Sequence, residues 1–284
     1  MRYLLPLSIF VLAAASGEAS AATIGKCKFN TATFAFAGTP TEQASCLLRK
    51  VKILGNVDAA PAEIPANLAG FIGKPVAVSK AKVQQAITAA GLTEAGVGGS
   101  LNDPLSRGNT NNPTAPQARY FVIHDTSTPN FGNAQFPADI DTSNQVNRFD
   151  GYRSATNAKA HIFLNRRGET YVGHKLDVPW RATKLEGNIG TLSRGMFIHI
   201  ENIQPRRKHP SQPDGNAPTP GFSTAQYDRL ALLYLVASTR SGTGLVPAFH
   251  AAMDEGLSDG HDDPQNFSLA DFDAAFGRVL ASVR

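Results

Sequence analysis

Three times between residues 120 and 250 the chain runs apolar for the length of a short strand and then stops on an ionisable side chain. The stretches are YFVIHD (120–125), MFIHIEN (196–202) and LVPAF (245–249), the last followed at once by His250. Each reads as a strand. HIFLNRRGETYVG (161–173) reads as two further strands joined by a turn at Arg167-Gly168. Ahead of the third run, Ser223 and Gln226 form a capping box for a helix in which Tyr227, Leu230, Leu233 and Tyr234 recur at helical spacing. This alternation predicts an α/β domain with a mixed central β-sheet flanked by helices, and ligand sites in such sheets sit at strand ends.

The remainder of the 284 residues is organised around that domain. Arg2, the apolar run Leu4 to Ala15 and Ala19-Ser20-Ala21 have the order of a secretory signal peptide over residues 1–21. The run falls short of the roughly 20 residues that span a bilayer, so a membrane anchor is the poorer reading and the mature chain is expected to be periplasmic or secreted. Export places the only two cysteines, Cys27 and Cys46, in an oxidising compartment, which suggests one disulfide. Residues 22–99 read as an N-terminal accessory region: Cys46 to Leu54 looks strand-like, and Ser79 opens a short helix with Val83, Ile87 and Ala90 on one face, ended by Gly91. SLNDPLSRGNTNNPTAPQA (100–118) has little to bury and reads as a linker or long loop before the α/β domain over 119–284.

His124, Glu201 and His250 are polar residues that apolar strands do not need. A catalytic zinc takes three protein ligands from His, Asp, Glu or Cys and keeps one position open. His124, His250 and one aspartate of the loop GHDDPQ, Asp262 or Asp263, would supply such a set. There is no HExxH pair, no G-x-S-x-G elbow and no phosphate-cradling glycine loop, which removes the usual signals of metalloprotease helices, serine hydrolases and nucleotide enzymes. A net charge of +4 favours an anionic polymer, but it is spread along the chain with no basic-aromatic pattern for nucleic acid.

Taken in order, VIHDTS around His124, AHIFLNRRGETY (160–171), PWRA (179–182), FIHIEN with Glu201, and FHAAMDEGLSDGHDDPQNF (249–267) resemble the zinc-dependent N-acetylmuramoyl-L-alanine amidases of the amidase-2 type, which share their fold with peptidoglycan recognition proteins. The resemblance covers about half of the chain, and its last segment is the most specific. It implies Zn2+ held by His124, His250 and Asp263, with Asp262 as the rival ligand. It implies Glu201 as general base and His261 as the donor to a developing oxyanion. The implied partner is peptidoglycan or a muropeptide, without nucleic acid and without stable membrane insertion. Arg181 stands where the family usually carries a histidine after the tryptophan. Two rivals stay open: a binding module of the same fold that does not cut, and a zinc hydrolase of another amide. His199, two residues before Glu201, faces the same way on a strand and is either a group that supports the site or binds substrate, or a packed or solvent-facing histidine.

Overall fold

The computed structural model describes residues 22–154, 156, 159–211, 215–258 and 261–284, so the signal-peptide reading over 1–21 lies outside the described residues. Five strands make the central sheet: β1 (Tyr120–Asp125), β2 (Ile162–Leu164), β3 (Thr170–Val172), β4 (Phe197–Asn202) and β5 (Val246–Phe249), in the order β5-β1-β4-β2-β3. The pairs β5/β1, β1/β4 and β4/β2 are parallel and β2/β3 is antiparallel, so the sheet is mixed. The register places His124 beside Glu201 and Phe249 beside Ile123. The carboxyl ends of three adjacent parallel strands therefore lie level, and they deliver His124, Glu201 and His250 to one edge.

Period-two alternation divides the sheet into two apolar faces. On one, Phe121 packs its ring 5.3 Å from Tyr234 of the long helix Thr224–Ser241. Ser223 accepts from the Gln226 N–H at the start of that helix, and Gly242, at φ 77°, ends it in a left-handed cap that a residue with a Cβ adopts less readily. Helices Lys80–Ala89 and Leu269–Ser282 pack against the same long helix.

The other face carries Tyr120, Phe197, His199 and Glu201, and its lower half is closed by the N-terminal residues. Phe29 and Phe36, from a three-stranded meander of two-residue strands, stack around Tyr120 and Phe197 with ring centroids 5.0–6.4 Å apart. Residues 22–99 thus share one core with the sheet. The strand expected over Cys46–Leu54 is not formed: Cys46 lies in the helix Pro40–Leu47, where Thr39 and Glu42 close a capping box, and the chain after it makes an isolated bridge between Val51 and Val57 around a 3-10 turn over Ile53–Gly55. A local cap outweighed the β-branched residues that suggested a strand.

Segment 100–118 is irregular, as its composition predicts, yet it is packed and not a free tether. Leu101, Leu105 and Ser106 are buried, and Arg240 of the long helix donates to the carbonyls of Gly98, Asp103 and Pro104. Its guanidinium thereby ties the start of this stretch to the long helix, alongside backbone bonds such as Ser106 N–H to the Leu176 carbonyl.

Cys27 and Cys46 are joined in a disulfide across 19 residues of sequence. Nearby, buried Arg49 pairs with Glu255, and the Lys26 N–H donates to the Glu255 carbonyl, so the cross-linked region also braces the turn that follows His250. Closing a loop of this length stabilises by about 3 kcal/mol through the unfolded state. The Cys27→Ser/Cys46→Ser double variant is expected to lose about that much in urea unfolding, and a midpoint unchanged from the oxidised wild type would refute it.

Tyr120 offers a pH test of the same junction. Its hydroxyl accepts from the Phe36 N–H at 2.9 Å and donates to Gln43 Oε1 at 3.0 Å, and burial pushes the phenol up to about 12 from its ordinary 10.0. The folded chain therefore holds this proton more tightly than the unfolded chain. The contribution is complete below pH 10 and fades as pH rises towards 12, on the order of 2–3 kcal/mol. Tyr120→Phe is expected to flatten the alkaline limb of the stability curve relative to wild type; parallel limbs would contradict this.

Candidate metal centre

At the carboxyl edge of the sheet, His124 from β1 and His250, the first residue of the short helix His250–Asp254, face each other with Nδ1 atoms 2.9 Å apart. Asp263 completes the group: its Oδ1 lies 3.0 Å from His250 Nδ1 and its Oδ2 lies 3.6 Å from His124 Nδ1. All three residues are buried. Asp263 is set in place by the Asp125 N–H, which donates to its Oδ2 at 3.1 Å. Asp125 in turn binds the Gln265 N–H at 3.0 Å and the buried Arg206 guanidinium at 2.7 Å, so a buried ion pair fixes the loop on both sides of Asp263. Asp262 points elsewhere, accepting from Gln265 Nε2 at 2.7 Å.

Donor chemistry tests whether the trio fits a metal. Three atoms with lone pairs, two imidazole nitrogens and a carboxylate oxygen, converge in a dry corner. Ligands held about 2.1 Å from a shared tetrahedral centre sit about 3.4 Å apart, close to the spacings found. The outer nitrogens are also positioned as metal-ligating histidines require. His250 Nε2 lies 3.0 Å from Asp254 Oδ2, and Asp254 is anchored by the N–H groups of Lys184 and Leu185 at 2.9 Å each. The ring is turned so that its N–H does not point straight at the oxygen, which leaves a close but bent contact. The residues fit a zinc ion.

The electrostatics divide the two histidines. Burial, reinforced by His250, holds His124 well below the ordinary imidazole range. Burial works against charge on His250 as well, but Asp263 and Asp254 outweigh it and hold that ring well above the range. In the metal-free chain a proton therefore takes the place of a cation between His250 and Asp263, which is the competition expected of a metal site.

Glu201 Oε1 lies 4.0 Å from His124 Nδ1, with 16% of the side chain exposed. Burial, and then Asp263, pushes its carboxyl up to about 8. It also lines a cleft of about 750 Å³ whose wall includes Thr126, Tyr152, Phe163, Arg148 and Lys159. His261 stacks on His250 with centroids 4.0 Å apart, its Nδ1 3.8 Å from Asp263 Oδ1 and 42% of the side chain exposed. Burial and the neighbouring His250 hold it below the ordinary range.

His124, His250, Asp263, Glu201 and His261 thus gather at one edge. Arg181 is exposed, and Trp180 stacks on His174 at 3.8 Å. Sequence reasoning passed over Asp254, Asp125, Arg206 and Glu186. Asp254 had a signal, since residues four apart share a helix face and Asp254 follows His250 by four. His161 accepts from the His199 N–H at Nδ1, and its Nε2 lies 3.0 Å from the Val178 carbonyl.

No protein-family model matches the chain, and no curated protein matches it. Among solved structures it is similar to the endolysin N-acetylmuramoyl-L-alanine amidase LysCS from Clostridium intestinale URNW, at 15% identity and a TM-score of 0.33, over 62% of this chain and 90% of that one.

Proposed function

We propose that the chain is an exported zinc-dependent amidase, acting in the periplasm or outside the cell, that hydrolyses the bond between N-acetylmuramic acid and L-alanine in peptidoglycan or a muropeptide. What supports the chemistry is the convergence of His124 Nδ1, His250 Nδ1 and an Asp263 oxygen within 3.6 Å, beside a carboxyl pushed up to about 8. The choice of substrate rests on the resemblance of residues 120–267 to the amidase-2 segments. Among the described residues no helix is long and apolar enough to cross a membrane.

When bound by His124, His250 and Asp263, zinc supplies Lewis acidity, polarising an amide carbonyl and lowering the pKa of water. The chain's own groups do the rest. Glu201 opens onto the cleft and takes the proton of the attacking water. A carboxylate in that position can accept the proton and then pass it to the leaving nitrogen. His261 stands at the mouth and donates a ring N–H to the oxygen that becomes negative. Arg148 and Lys159 line the cleft and offer positive charge to the carboxylates of a stem peptide.

Digestion of purified sacculi by the zinc-loaded mature protein tests the reading. The expected products are stem peptides with a free N-terminal L-alanine and glycan strands of unbroken length. Sacculi bound but uncut would replace the enzyme by a binding module, and cleavage at a peptide bond within the stem would reassign the substrate.

A further inference from the structure

Behind His124, away from Asp263, lies a buried polar chain that the proposed reaction does not use. His124 Nε2 is 3.0 Å from His199 Nδ1, and His199 Nε2 is 3.2 Å from Glu186 Oε2. All of His124, His199 and Glu186 are buried, His199 and Glu186 with no exposed surface. Glu186 is locked in turn: its Oε2 accepts from the N–H groups of Ala182 and Thr183 at 2.9 and 3.1 Å, as the carboxylate of a capping box. The His199–Glu186 approach is a close contact without hydrogen-bond geometry, and among the described residues His199 Nε2 and Glu186 Oε1 have no hydrogen-bond partner.

A neutral imidazole has one N–H and one lone pair, so an acceptor at the end of such a chain dictates every ring along it. The Glu186 oxygen that faces His199 Nε2 is the one that already accepts from two backbone N–H groups, which favours the His199 proton on Nε2 and leaves Nδ1 a lone pair. His199 Nδ1 then accepts from His124, which puts the His124 proton on Nε2. His124 Nδ1 is left as a lone pair directed at His250 Nδ1 and Asp263. We infer that Glu186 and His199 are positioning residues that set the tautomer of His124 and so hold a metal-ligating lone pair in place before any metal arrives. The inference rests on the reading of His124 as a zinc ligand only for its consequence, since the tautomer is a property of the metal-free chain.

The buried location explains why a two-step chain is used. His124 sits on β1 directly beside β4, and among the described residues its outer nitrogen meets His199 and no carboxylate; His199, on β4 and on the same face, bridges the gap to a carboxylate held by the helix Lys184–Ile189. His250, at a helix start, has its own carboxylate four residues on.

Two measurements test this. Long-range proton–nitrogen NMR of the metal-free wild type at pH 8 reports which nitrogen of His124 carries the proton. The expected pattern is protonated Nε2 and bare Nδ1, and a proton on Nδ1 would overturn the inference without any variant having to fold. Zinc affinity is then measured by chelator competition for wild type, His199→Leu and His199→Asn, with urea midpoints confirming folding. Loss of a partner behind a metal-ligating histidine weakens binding about 10- to 100-fold. His199→Leu is expected to show that loss, and His199→Asn, whose amide oxygen can accept in place of Nδ1, to recover most of it. Equal weakening in both variants, or none in the leucine variant, refutes the tautomer account. Failure of the wild type to bind zinc would instead remove the metal reading, and the NMR result would still decide the tautomer.

Discussion

Asp263→Ala is expected to take the purified protein from about one zinc per chain to near none and to abolish hydrolysis of sacculi. Two histidines alone leave a site one ligand short, and the loss falls on a buried position where water does not readily substitute: Asp263 is 4% exposed. The substitution also strips His250 of one of the two carboxylates that hold its ring in place, and leaves the Asp125 N–H without its acceptor. Removing an acceptor from a buried donor costs about 1–3 kcal/mol, so some loss of stability is expected as well. Metal content by mass spectrometry in native buffer, read beside the urea midpoint, separates the two effects. Asp262→Ala serves as the control. Its carboxylate holds Gln265 and does not face the histidines, so it is expected to keep zinc and most activity. Full zinc in the Asp263 variant and none in the Asp262 variant would exchange their roles.

The architecture was open to sequence reading because the central strands begin as apolar runs. YFVIHD is buried along its whole length, and its shortness and its aromatic and β-branched residues favour a strand over a buried helix. Likewise Ser223 with Gln226 and Ser79 before Lys80 announced helix starts through local capping chemistry. The strand wrongly read over Cys46–Leu54 fails for the opposite reason: its pattern was short and mixed, and the capping box that makes 40–47 a helix begins outside it. The packing of residues 22–48 beneath the sheet depends on Phe29, Phe36 and Tyr120 meeting across a sequence distance that no local pattern encodes. At the site, His124, Glu201 and His250 stood out as ionisable groups at the ends of apolar strands. Glu186 did not, because Thr183-x-x-Glu186 is already explained as a capping box. Nothing local reveals that the same carboxylate also faces a histidine from another strand. Arg206 was hidden in the basic run Arg206-Arg207-Lys208, which reads as a solvated loop, whereas only its first member is buried against Asp125.

Glu201→Gln is expected to lower the rate of sacculus hydrolysis by about 10²- to 10⁴-fold while leaving zinc content unchanged. The glutamine keeps the size of the side chain and removes the proton acceptor. Glu201 is not one of the three converging ligands: its nearest oxygen is 4.0 Å from His124 Nδ1, and it lines the cleft from which a substrate would approach. Burial and the proximity of Asp263 disfavour its charge, so the neutral amide suits the same pocket and the variant should be at least as stable as wild type. That combination separates base catalysis from metal binding. A variant with wild-type activity would show that the proton leaves by another route. A variant that lost zinc in step with activity would make Glu201 part of the metal's ligand field, and the division of labour between the trio and the carboxylate would have to be redrawn.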